Sequence, residues 1–154
     1  MPLRTTPYEF SVRLPASRDR AFRWATNYRA GDLVLMGLRG RRKVERLAQN
    51  TFLLTDSYET ARGTRTKVKL VHLLPERWAW TNTYLAGPAR YSQFLYQLLP
   101  DGRNRSRLRF TGRQVERVKR SPTPAKIALL ARALVREDSA AWRRLAAAMG
   151  RDLA

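Results

Sequence analysis

The sequence has no cysteine and a single histidine, His72. These two shortages remove disulfides, thiolate nucleophiles, cysteine-bound metals and any multi-histidine metal site within one chain. No run of eighteen apolar residues occurs, and the opening stretch from Met1 to Pro7 lacks the apolar core of a secretory signal. The expected address is therefore cytoplasmic. Acidic residues are scarce as well: 12 Asp and Glu stand against 31 Lys and Arg, a formal net charge of +19. Such a surplus suits nucleic acid, an anionic membrane surface or an acidic ligand. Arginines are spread along the chain and greatly outnumber lysines, which reads equally well as a compositional bias of the source proteome. The densest basic clusters are Arg39, Arg41, Arg42 and Lys43, then Arg113, Arg117, Lys119 and Arg120. Neither has interleaved exposed aromatics, and no zinc-finger or helix-turn-helix pattern is present. Nucleic-acid binding thus rests on charge alone. No phosphate-cradling glycine loop, nucleophilic triad or paired metal ligand appears, so no cofactor or metal is expected.

What the chain does have is enough apolar side chain for a core, 44% of 154 residues, and the expected organisation is one domain over residues 1–154. Its longest regular pattern is the stretch from Pro122 to Ala154. Thr123 suits an N-cap, Pro124 the first helical turn, and Gly150 a stop near the end. At 1.5 Å per residue this helix would span on the order of 40 Å. Stepping 100° per residue places Ile127, Leu130, Ala131, Leu134, Ala141, Trp142, Leu145, Ala148 and Met149 on one stripe, with Arg132, Arg136 and Arg143 opposite. Asp138 falls in the middle of the apolar stripe. It sits four residues after Leu134 and four before Trp142, so it must face whatever they face, where a carboxylate needs a partner, water or a cavity.

Upstream, Tyr8, Phe10, Val12 and Leu14 alternate with Glu9, Ser11 and Arg13 as a half-buried strand. Pro15 closes it, and Ser17 caps a short helix packed through Ala21, Phe22, Trp24 and Ala25. A second helical turn is expected between Ala30 and Met36. Strands follow at Lys43 to Ala48, Thr51 to Tyr58, Arg65 to Leu74, Trp78 to Leu85, Tyr91 to Leu99 and Arg105 to Val118. The turns between them leave no room for crossover helices, so neighbouring strands pair antiparallel. The expected class is α+β, with a sheet of about seven strands curled around the long C-terminal helix and two short helices after the first strand.

Several strings point to a family: Phe10 to Ala16 leading into Ala21 to Tyr28, then Val44-Glu45-Arg46, Gly87-Pro88, Leu98 to Gly102, and the final helix. The chain resembles the helix-grip superfamily of START lipid-transfer, birch-pollen-allergen-like and polyketide cyclase/dehydrase domains. Asn27 departs from the commonest form, which has Asp before the tyrosine of the first helix. The resemblance implies a curved antiparallel sheet gripping the C-terminal helix, with a cavity between them for a lipid, polyketide, hormone or other hydrophobic molecule.

Strand alternation selects residues to line such a cavity. Val68, Leu70 and His72 share a face, opposite Arg65, Lys67 and Lys69, whose charge marks the wet side. Trp78, Trp80, Asn82 and Tyr84 are in phase on the next strand, Phe94, Tyr96 and Leu98 on the one after, and Leu108 and Phe110 on the last. Leu134 and Trp142 face them from the helix. These rings either fill a core or wall a hydrophobic pocket. Four polar residues, Asp56, His72, Asn82 and Asp138, intrude on the inward faces. His72 with Asp138 is the candidate acid/base pair if the protein is an enzyme; satisfied buried pairs, or a carboxylate on one of the many arginines, are the preferred reading. The expected function is intracellular binding or transport of a hydrophobic small molecule such as a lipid, quinone or polyketide. A cofactor-free polyketide cyclase or dehydratase is the alternative, and a basic nucleic-acid-binding protein a second one. Peripheral contact with an anionic membrane would suit the charge.

Overall fold

Alternating burial begins five residues earlier than the sequence pattern indicates. In the computed structural model, which describes residues 2–154, the first strand is β1, Leu3–Leu14, with Thr6, Tyr8, Val12 and Leu14 buried. Pro7 lies inside it. The strand is the edge of the sheet and pairs only with the last strand, so a residue without an N–H is tolerated there. Helix α1, Arg18–Ala25, follows, burying Ala21 and Phe22. Ser17 holds the N-cap position, but its side chain makes no cap hydrogen bond. A single turn, α2, Asp32–Leu35, buries Leu33.

Six more strands meander antiparallel: β2 Gly40–Ala48, β3 Thr51–Thr60, β4 Gly63–Leu74, β5 Ala79–Ala86, β6 Gln93–Pro100 and β7 Ser106–Arg117. Their order is β1-β7-β6-β5-β4-β3-β2, an open seven-stranded sheet whose first strand closes beside the last. Register shifts interrupt β2 at Arg46/Ala48 and β4 at Val68/Lys69, bending the sheet. The connections are short turns, as expected, and Gly87 takes a φ of 104° that L side chains resist.

Helix α3, Pro124–Leu153, runs 30 residues and packs alongside β1. Thr123 caps it, its hydroxyl accepting from Lys126 N at 3.2 Å. Gly150 does not stop the helix; it lies within it against Pro15, where a small residue fits the close approach. The stripe is the expected one, with Ala148 and Met149 buried, most of its remaining members partly buried, and Arg132, Arg136 and Arg143 exposed. The core is a layer of rings between the inner sheet face and this helix. Trp80 stacks on Tyr96 with centroids 5.0 Å apart, Phe110 meets Tyr96 edge-on at 5.2 Å, and Trp142 approaches both from α3. Gly112 leaves space for this layer, because a Cβ there would collide with the Phe94 and Phe110 rings.

Candidate functional site: a ring-walled cavity with a charged side

The ring layer does not close completely. Between the inner sheet face, α3 and the α1–α2 segment lies a cavity of about 180 Å³. An apolar void of about 150 Å³ already holds a benzene-sized molecule, so this one admits a small aromatic compound. Its apolar lining comes from Trp24, Ala25 and Met36, then Leu54, Trp80, Phe94, Tyr96 and Phe110, and from Ala141, Trp142 and Leu145 of α3. Its polar lining comprises Tyr8, Tyr28, Arg29, Asp32, Arg42, Lys67, Lys69, Asn82, Tyr84, Gln114 and Asp138.

Two of the polar atoms have nothing to bond. Asn82 Oδ1 and the Tyr28 hydroxyl are buried without a hydrogen-bond partner among the described residues. A buried polar group left unpaired costs about 1–3 kcal/mol, which a ligand carrying the complementary group would recover.

Asp138 faces the cavity, as its helical position requires, and its partner is the Tyr8 hydroxyl, which donates to Oδ2. Burial pushes the Asp138 carboxyl above the usual carboxylate range; the Tyr8 bond opposes this, Glu137 adds to it, and Lys67 and Lys69 oppose it. Burial and the adjacent Asp138 likewise push the Tyr8 phenol up.

Across the cavity the charges form a chain. Arg42 is only 8% exposed and grips Asp56 twice, Nε to Oδ1 at 2.7 Å and Nη2 to Oδ2 at 2.9 Å, while its Nη1 reaches Asp32 at 3.4 Å. Lys69 Nζ lies 2.8 Å from Asp56 Oδ2. Burial works to raise the Asp56 pKa, but the bonds and charges of Arg42 and Lys69 reverse that and hold it below the usual range. For Lys69 burial wins: helped by Arg42 and Lys67 and opposed by Asp56, it pushes the amine down to about 8.

Several expectations are corrected. β4 is in the opposite phase: Lys67, Lys69, Val71 and Leu73 point inward, while Val68, Leu70 and His72 lie on the outer face. Charge was a poor marker of the wet side because Asp56, buried one strand away, holds Lys69 inside. His72 is exposed, with Nδ1 3.4 Å from Thr51 Oγ1, and cannot pair with Asp138. Trp78 is also outside the cavity. It ends a 3-10 turn in a left-handed conformation, φ 46°, which takes it out of phase with β5; its Nε1 donates to Asp19 at 2.6 Å and Arg18 stacks on its ring at 3.7 Å. Leu108 and Leu134 belong to the surrounding core and not to the lining, and Asp56 sits behind Arg42 and Lys69. Trp80, Asn82, Tyr84, Phe94, Tyr96, Phe110, Asp138 and Trp142 do line the cavity.

No family model and no curated protein sequence matches the chain. Solved structures do. The Zhui aromatase/cyclase from Streptomyces sp. R1128 superposes with a TM-score of 0.79 at 16% identity, covering 98% of this chain and 97% of its own. A START superfamily protein from Mycobacterium smegmatis gives 0.73 at 10% identity, with coverage of 95% and 98%. Norcoclaurine synthase from Thalictrum flavum gives 0.64 at 10%, with coverage of 95% and 94%. The chain has the helix-grip fold.

Within the helix-grip frame the polar lining residues that sequence reasoning missed are Tyr8, Tyr28, Arg29, Asp32, Arg42, Lys67, Lys69 and Gln114. A signal for Arg42 and Lys67 existed, whereas Lys69 lies across from Leu54 and reaches Asp56 only on the diagonal. Asp56 was placed on an inward face and had to have a partner; Arg42 lies directly across from it in the β2–β3 register, and Lys67 across from it in the β3–β4 register. Gln114 is in phase with Leu108 and Phe110 on β7, and Tyr8 with Val12 and Leu14 on β1, so alternation pointed to both; Tyr28, Arg29 and Asp32 lie between the end of α1 and the start of α2, where no pattern places them.

Proposed function

We propose that this helix-grip chain binds a small aromatic molecule in the cavity under α3. One observation carries the reading: a cavity walled by rings in which two buried polar atoms, Asn82 Oδ1 and the Tyr28 hydroxyl, have no hydrogen-bond partner among the described residues. Rings supply contact area without directional demand, and a few placed polar atoms fix orientation, which is the ordinary chemistry of small-molecule sites. The fold's solved neighbours, which include an aromatase/cyclase, lend support at the level of the kind of ligand. The test is calorimetric titration with 1-naphthol. Saturable one-to-one binding is expected in the parent, and its loss in Ala141→Trp, which puts an indole into the void. No saturable binding, or binding indifferent to that substitution, contradicts the reading.

A second reading has its own observation, the Tyr8–Asp138 contact inside the cavity, with a carboxyl whose pKa burial raises. A carboxyl held above its usual range by burial, beside a phenol, suits cofactor-free proton transfer during cyclisation of a poly-β-keto chain. Cyclisation by the parent, abolished in both Asp138→Asn and Tyr8→Phe but retained in His72→Ala, would support it. Absence of turnover in the parent leaves the protein as a binder.

A further inference from the structure

The cavity is chemically lopsided. Toward β5, β6 and β7 its wall is rings; toward β4, β3 and β2 it is charge. The charged side is an alternating series, Arg29, Asp32, Arg42, Asp56, Lys69, linked at 3.5, 3.4, 2.7 and 2.8 Å. Its Arg29 end is exposed, so over the buried members, Asp32, Arg42, Asp56 and Lys69, cations and anions are equal in number. The Arg29 end reaches Asp152 at 3.9 Å, near solvent, whereas the Lys69 end is inside. Lys67, beside it on the same face of β4, makes no ion pair among the described residues; its ammonium lies 5.4 Å from the Tyr84 ring centre. Arg42 has all three of its nitrogens committed to Asp56 and Asp32, but Lys69 uses one donor on Asp56 and keeps others free.

Lys67 is thus the cation of the cavity wall without an ion-pair partner among the described residues, an arrangement that is unfavourable unless an anion answers it. We infer that the ligand is an anionic aromatic compound, its ring against Trp80, Tyr96 and Trp142 and its oxyanion, a carboxylate or acidic enolate, on Lys69 and Lys67. The inference rests on the binding reading above and specifies its ligand class. The neutral contact has a place as well. Tyr84 pairs with Lys69 and Asn82 with Val71, so Asn82 lies one same-face step along β5 from the cation, a diagonal of about 7–8 Å. That is about the breadth of a small ring system, and a ring hydroxyl donating to Asn82 Oδ1 would satisfy it.

The test compares 2-naphthoate with 2-naphthalenemethanol, alike in ring and unlike in charge, by calorimetry on the parent, Lys69→Met, Lys67→Met and Ala141→Trp. The acid is expected to bind the parent about tenfold more tightly than the alcohol, the gain of one charge-assisted hydrogen bond. Lys69→Met should remove most of that preference, read as the ratio of the two affinities in the same variant. Lys67→Met should remove part of it. Equal affinity of acid and alcohol for the parent overturns the inference and leaves the binding reading standing. So does an acid preference that survives both lysine substitutions, or acid binding that persists in Ala141→Trp, which would locate it on the basic exterior. If neither compound binds, the binding reading falls and the inference with it.

Discussion

Asp56→Asn is the substitution with the largest expected cost. The carboxylate is 2% exposed and accepts three short contacts, at 2.7 and 2.9 Å from Arg42 and 2.8 Å from Lys69. An amide of the same shape has one acceptor oxygen, so its NH₂ must turn toward a donor of Arg42 or Lys69, and both cations lose their shared anion. Breaking a buried pair from one side costs about 3–5 kcal/mol because the remaining charge is stranded. In a chain of this size that corresponds to a fall of about 10 °C in thermal midpoint. Urea unfolding followed by tryptophan fluorescence at neutral pH measures it. The pH dependence has a definite sign: Asp56's folded pKa lies below its unfolded value, so its stabilisation is complete above the unfolded value and is lost as pH falls through the folded one. The deficit of the variant should thus be constant through neutral pH and shrink only in acid. A loss under about 1 kcal/mol would refute the view that this carboxylate holds two cations inside the sheet.

Asp138→Asn should do the opposite. Its folded pKa is raised, so the parent loses stability as pH rises through that window, and the variant should match or exceed the parent at neutral pH with the difference vanishing near about pH 4 in thermal melts. Lys69 has a folded pKa of about 8 against 10.5 for the free amine, so parent stability should climb between those values as the folded state's excess cost of protonation disappears. Lys69→Met should flatten that climb. Gly112→Ala should cost about 1–3 kcal/mol in urea unfolding by driving a methyl group into the Phe94 and Phe110 rings.

Alternation and helical periodicity carried most of the architecture, because β5, β6, β7 and α3 each bury one clean face: Trp80, Asn82 and Tyr84, Phe94 and Tyr96, Phe110, and Asp138 with Trp142 all line the cavity as their patterns require. β4 failed for a reason local patterning does not see. Its two faces are both mixed, Lys67 and Lys69 with Val71 and Leu73 on one and Val68 and Leu70 with His72 on the other, and the choice between them is made by Asp56 on the neighbouring strand. Trp78 failed through one left-handed residue that delays the start of β5. The partner of Asp138 was legible only as a need: Tyr8 was placed on the inner face of β1, but which inner-face group meets the helix depends on how α3 lies along that strand.

Occupation of the cavity by an aromatic ligand is read out by nitrogen-15 correlation NMR of the tryptophan indoles during titration with 1-naphthol. Trp24, Trp80 and Trp142 line the cavity, whereas Trp78 lies outside it with its Nε1 on Asp19, so one protein carries both the reporters and the control. Saturable shifts of the Trp80 and Trp142 indoles together with the Asn82 side-chain amide are expected, with a stationary Trp78 signal. Shifts confined to Trp78, or no shifts at millimolar ligand, would contradict such occupation.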